Sequence, residues 1–188
     1  AIVKSICDTN DALRVRFPQL TVSLSPDVTF ITSQELEDMY PTLTPGQRED
    51  ALLREHRTAF IMQIGGRLRS GKPHDGRAPD YDDWQLNGDL FFWDDVLGRA
   101  LEISSMGIRV DAESLDRQLT LAGCDDRRAL PFHQMLLRDE LPLTIGGGIG
   151  QSRLCMLMMG CAHIGEVQSS LWDAETVAVC EAAGVRLL

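Results

Sequence analysis

At 188 residues, 44% of them hydrophobic, the chain is long enough for one domain with a sizeable core. Its 18 basic and 28 acidic residues leave a net charge of −10, which argues against a broad nucleic-acid or membrane surface. An anionic small substrate remains compatible, provided arginines line its pocket. The five cysteines, at 7, 124, 155, 161 and 180, include no Cys-x-x-Cys pair, so neither a disulfide framework nor a zinc site is indicated and a reduced, cytoplasmic compartment is expected. Cys155, Cys161 and His163 lie in an apolar helical stretch and read as core. No run reaches transmembrane length and no secretory signal opens the chain. A start at Ala1 is expected of a processed chain or of a piece of a longer one.

In chain order, Val28 to Ile31 predicts a strand, and Thr32-x-x-Glu35 is a capping box for a short helix that stops before Pro41. Thr44, Pro45 and Gln47 open a second helix, reaching about Arg57 and feeding a strand at Ala59 to Ile64. Residues 65–88 read as irregular. A strand pair is predicted at Asp89 to Trp93 and Leu101 to Val110, then a helix capped by Asp111 and ending near Gly123. Another helix covers Phe132 to Arg138. Leu141 to Ile145 is predicted as a strand, and Ile149 to Met159 as a helix apolar on nearly all sides, hence buried. Hairpin-joined strands with helices around them predict an α+β domain with a largely antiparallel sheet.

Between the last two elements stands Gly146-Gly-Gly-Ile-Gly-Gln-Ser-Arg153. Glycines without Cβ let a flat ring or a phosphate lie against the backbone, and a helix starting near Gly150 offers free amides to an anion. Arg153, in its first turn, is suited to stack on a purine or to fork onto a phosphate. Close packing alone also accounts for such a turn. Neither familiar phosphate motif fits: Arg153 replaces the last glycine of a dinucleotide fingerprint, and Pro73 follows the Gly66 to Lys72 match where a phosphate loop needs Ser or Thr.

Four segments, Arg77-Ala-Pro-Asp-Tyr-Asp-Asp-Trp84, Leu86-Asn-Gly-Asp89, Leu101 to Asp111 and Ile145 to Arg153, together resemble the ammonia-dependent asparagine synthetase family; His163-Ile-Gly-Glu-Val-Gln168 adds a fifth. That family looks like the catalytic domain of class II aminoacyl-tRNA synthetases, especially the aspartyl enzyme. The resemblance implies that L-aspartate, ATP and ammonia give L-asparagine, AMP and pyrophosphate through a β-aspartyl adenylate. It also implies a homodimer, with magnesium carried by ATP and with no nucleic-acid partner.

By the same resemblance, Arg77, Asp82, Ser105, Arg109 and Gly147 bind substrate, while Glu102, Ile103, Gly148, Gly150 and Arg153 bind ATP. Asp82, Arg109 and Arg153 would be catalytic, and Asp89 and Glu102 would hold the metal. Two carboxylates facing one cavity repel unless a cation lies between them; as residues alone they also read as surface acids. Glu102 and Arg109 are seven apart, an odd separation that needs a bulge or turn near Gly107 if both are to share a face. Without it, Arg109 is a solvated strand arginine. Asp82, in an acidic loop read as exposed, is the candidate acceptor of a proton from ammonium, or else one charge of a solvated run. Arg77 neutralises adenylate or pyrophosphate, or pairs with Asp80 or Asp83.

The family's chains are longer, with an N-terminal portion that supplies further binding residues and with a longer glycine-containing loop where this chain has only Gln85 and Leu86. The chain is therefore expected to be a single catalytic domain lacking that portion. Two other readings remain: a fragment of aspartyl-tRNA synthetase, disfavoured by the acidic balance and by Ser-Ser-Met at 104–106, and a noncatalytic amino-acid-binding module on the same fold.

Overall fold

The computed structural model describes residues 1–188, built on one five-stranded sheet whose strands lie side by side in chain order. The strands are β1 (Thr29–Thr32), β2 (Thr58–Met62), β3 (Asp82–Asp94), β4 (Arg99–Arg109) and β5 (Ile145–Ile149). β1 and β2 are parallel because a helical crossover joins them, and every other neighbouring pair is antiparallel. Around the sheet lie α1 (Ile2–Arg16), α2 (Ser33–Met39), α3 (Pro45–His56), α4 (Ala112–Ala122), α5 (Pro131–Leu137), α6 (Gln151–Met159) and α7 (Ala174–Ala182).

The helix starts follow from local chemistry. At α2, Thr32 Oγ1 accepts from the Glu35 amide at 3.1 Å while Glu35 accepts from the Thr32 amide at 2.8 Å. Pro45 opens α3 behind Thr44, whose amide donates to Gln47 at 3.0 Å. Asp111 caps α4, and Gly123 ends it in the left-handed region at φ 68°.

β3 alternates in the period of a strand covered on both faces. Phe91 and Trp93 pack with Ile61, Leu36, Leu52 and Leu53 under α2 and α3. Leu90 and Phe92 pack with Ile6, Cys7, Leu157 and Met158 under α1 and α6. A third cluster, Val110, Leu115, Leu119 and Leu136, joins α4 and α5 to the end of β4.

Several sequence-based expectations are corrected. β3 begins at Asp82, inside the segment read as irregular, because its first residue pairs with Arg109 of β4. The predicted strand at Leu141 to Ile145 is displaced: the glycine run itself is the edge strand, with Gly146, Gly147 and Gly148 opposite Gly107, Met106 and Ser105. Helix α6 is buried through Met156, Leu157 and Met158 only; Met159 is exposed, and so is Cys155, against the core reading. Cys161 and His163 are half-buried. Helices α1 and α7 belong to stretches for which no element was predicted.

Candidate active site

Two irregularities in the β3–β4 ladder decide which side chains share a face. Pairing runs from Leu90 opposite Ser104 to Phe91 opposite Glu102, so Ile103 is an extra residue on β4. Its side chain drops into the α1/α6 core, while Glu102 comes to the same face as Phe91, Asp89 and Ser105. A strand without this bulge would point Glu102 away from Ser105 and Arg109. The bulge that the Glu102–Arg109 spacing requires is therefore present, at Ile103 and not near Gly107. The second irregularity lies between Asp82 and Asn87 on β3 and keeps Asp82 beside Arg109.

Asp82 is buried, not an exposed loop charge, and forms an ion pair with Arg109 through Oδ1. The Arg109 Cζ stands 3.9 Å from the centre of the Tyr81 ring, and Nη2 donates to the Tyr81 hydroxyl at 2.9 Å. Glycines on both neighbouring strand positions make this possible. A Cβ on Gly146 would fall 2.7 Å from Arg109 Cζ, and one on Gly107 would fall 2.8 Å from Asp82 Cγ. Two of the five guanidinium N–H groups are used in these contacts, leaving three for a ligand.

Beyond Arg109 the face is bare backbone. A Cβ on Gly148 would meet nothing within 4 Å, so the surface over β5 is flat and open. Gly150 then starts α6 without a side-chain cap, and Arg153 in its first turn reaches the Glu102 carbonyl at 3.2 Å and its carboxylate at 3.4 Å. These elements surround a cavity of about 510 Å³.

Alongside lies a second cavity of about 420 Å³, sharing Glu102 and Arg153 and bounded by Asp89. Asp89 is 3% exposed; one carboxylate oxygen pairs with Arg77, and Oδ1 is buried with no partner. Burial, then the nearby Asp89 charge, push the Glu102 carboxyl above its usual range, against the pull of Arg153 and Arg77. Arg77 also binds Asp75 at 2.5 Å, whereas the partners considered for it from sequence are taken elsewhere: Asp80 by Arg127 and His133, Asp83 by Arg117. Burial disfavours the Arg77 cation, but Asp89 and Asp75 outweigh it and hold it charged.

An unpartnered buried carboxylate oxygen next to a second crowded carboxylate is a donor set that suits a hard divalent cation. The protein does not complete a cage, since no group of three or more His, Cys, Asp or Glu is arranged to hold a metal. Phosphate oxygens and water would have to supply the remaining ligands.

Residues 1–184 match the family model described as aspartate-ammonia ligase. The chain belongs to that family. A relative from Levilactobacillus brevis named aspartate–ammonia ligase is 61% identical over 173 residues, covering 92% of this chain and 52% of that protein. One from Lactobacillus johnsonii with the same name is 58% identical over 188 residues, covering all of this chain and 56% of its own. The chain thus spans about half the length of the curated relatives it matches. Among solved structures, an aspartyl tRNA synthetase from Entamoeba histolytica superposes with a TM-score of 0.60 at 18% identity, over 89% of this chain and 38% of that one. An asparaginyl-tRNA synthetase from Pyrococcus horikoshii, complexed with asparaginyl-adenylate, gives 0.57 at 17%, over 87% and 40%. These likenesses establish the fold as α+β with a class II synthetase-like sheet.

Of the eleven residues singled out in this aspartate–ammonia ligase family member, nine line the 510 Å³ cavity: Asp82, Glu102, Ile103, Ser105, Arg109, Gly147, Gly148, Gly150 and Arg153. Asp89 lies in the adjoining cavity and Arg77 behind it on Asp89. Sequence reasoning missed Tyr81, Ser104, Gln151, Ser152 and Ile164, which also line the larger cavity, and gave no role to Gln168. Tyr81 stands inside a quoted motif, beside Asp82. Gly146 had no signal apart from its neighbours, because its role is to leave room for Arg109.

Proposed function

We propose that the polypeptide represented by this chain makes L-asparagine from L-aspartate, ATP and ammonia through a β-aspartyl adenylate, releasing AMP and pyrophosphate. The observation that carries this reading is Arg109, held by Asp82 and Tyr81 against Gly146, in one cavity with the open glycine face and Arg153. A fixed guanidinium is a carboxylate clamp, and a bare strand ending at an uncapped helix start is a nucleotide seat.

The parts then divide the chemistry. Arg109, with three donors left, grips the α-carboxylate of aspartate in a bidentate fork and directs the β-carboxylate at the α-phosphate of ATP. A β-carboxylate oxygen bonds to that phosphorus as the bond to pyrophosphate breaks. Arg153 stacks on the purine over Gly148 and Gly150, with Ile103 and Glu102 beside it. Asp89 and Glu102 would hold magnesium, which would supply charge neutralisation at the phosphates when bound. Asp82, with Oδ1 on Arg109, keeps Oδ2 for an ammonium ion; it takes one proton, the freed nitrogen pair attacks the β-carbonyl, and collapse of the adduct expels AMP while the nitrogen's surplus proton passes to solvent, leaving the amide. Ser105 and Gly147 bound the aspartate, and Arg77 meets pyrophosphate after exchanging its hold on Asp89.

A single catalytic domain formed by these residues, a homodimeric assembly and a cytoplasmic location complete the proposal, supported by family membership. No helix is long and apolar enough to cross a membrane. The test is ATP turnover by the full-length protein with aspartate, with and without ammonia and with tRNA. Aspartate-dependent AMP formation that needs ammonia and ignores tRNA is expected; dependence on tRNA would replace this reading with an aminoacyl transfer.

A further inference from the structure

Where β3 steps from Asp82 opposite Arg109 to Asn87 opposite Gly107, residues 83–86 face only Ile108, and backbone groups there lose their ladder partners. A side chain from another element replaces them. Gln118 of α4, 1% exposed, accepts from the Trp84 amide at 2.8 Å and donates to the carbonyls of Asp82 at 3.1 Å and Pro79 at 2.9 Å. A neutral amide of this length is the side chain that offers two donors and an acceptor together. The strap from Pro79 to Trp84 is tied again at Asp80, whose Oδ2 lies 2.9 Å from Arg127 Nη1 and 3.0 Å from His133 Nε2.

We propose that Gln118 is a positioning residue for aspartate. It acts through the strap: it fixes the backbone that carries Tyr81 and Asp82, and these two fix Arg109. The α4/α5 unit has its own apolar core in Leu115, Leu119 and Leu136, so its folding does not call for a buried amide; every side-chain hydrogen bond that Gln118 makes goes to the strap. The inference rests on reading Arg109 as the carboxylate clamp.

The experiment is Gln118→Met in the full-length enzyme, read by ATP–pyrophosphate exchange. The expected result is an aspartate KM raised about tenfold or more with the ATP KM changed by less than about twofold. A lower kcat with both KM values unchanged means a smaller folded fraction, and would overturn the proposal. Should Gln118→Met fail to fold, Arg127→Leu, which removes one of the two ties on Asp80 of the same strap, is expected to raise the aspartate KM about threefold with the ATP KM unmoved; no change in the aspartate KM would overturn it. If the parent enzyme shows no aspartate-dependent exchange, the functional reading falls and the strap is judged separately by amide hydrogen exchange. Faster exchange confined to residues 80–84 in Gln118→Met of the full-length protein upholds the strap, and unchanged or uniformly faster exchange rejects it.

Discussion

The guanidinium of Arg109 occupies the space that a Cβ on Gly146 would need, with Cζ 2.7 Å from that position. The two residues lie on neighbouring strands, Arg109 two positions beyond Gly107, the partner of Gly146, so the first glycine of the run serves the arginine and not the nucleotide. Gly146→Ala must therefore move Arg109, because a methyl group fixed to a strand cannot yield as a long side chain can. We expect a folded protein with aspartate-dependent pyrophosphate exchange reduced at least about tenfold, the rate equivalent of roughly 1.4 kcal/mol. ATP binding measured by titration should be unchanged; joint loss of ATP binding would show that the substitution collapses the whole face.

Arg109→Lys tests the fork itself. A point charge on a flexible stem replaces a planar group already stacked on Tyr81 and paired with Asp82. The variant should fold and bind ATP, yet lose aspartate activation by about tenfold or more in the full-length enzyme. Near-normal exchange would remove Arg109 from the role of clamp.

Arg153→Ala removes a stacking plane and a charge from the nucleotide side. ATP affinity should fall by about 2 kcal/mol or more, while the aspartate KM is affected less. Calorimetric titration of ATP distinguishes this from a protein whose Arg153 only neutralises Glu102.

A pH dependence follows from Asp80. Burial alone would raise its carboxyl, but hydrogen bonds from His133 and Arg127 win and hold it below the usual range. A carboxyl lowered in the folded state adds stability above its unfolded pKa and loses it as pH falls through the folded value. Asp80→Asn should therefore cost about 1 kcal/mol near neutral pH and little in acid, well below the carboxylate range. Thermal unfolding of parent and variant at both pH values checks this; an equal difference at both would mean that the ionised form contributes nothing.

Legibility from the sequence divides along the range of the interactions. Thr32 with Glu35, Thr44 with Gln47, and Asp111 with Gly123 are local, so the helices they bound were readable. The edge strand was not: glycines lack the apolar signal of a strand, and Gly146 to Gly148 become one only through pairing with Ser105 to Gly107. Asp82 looked exposed because its partner is 27 residues away, and Arg77 was matched to Asp80 or Asp83 although it pairs with Asp75 and with Asp89, 12 residues on. The need for a bulge followed from the parity of Glu102 and Arg109, yet its place at Ile103 depends on which β3 residue each faces. The bulge on β3 and its closure by Gln118 had no sequence signal.

The central claim is that aspartate lies with its α-carboxylate on Arg109 and its β-carboxylate at the phosphorus. Turnover of aspartate carrying heavy oxygen only in the β-carboxylate, by the full-length enzyme with ATP and ammonia, tests it most directly. Attack by a β-oxygen followed by expulsion of AMP leaves one labelled oxygen on the phosphate of AMP, and mass spectrometry should find it there in step with asparagine formation. AMP formed without label, or AMP that becomes labelled only when the heavy oxygen is placed in the α-carboxylate instead, would contradict the account.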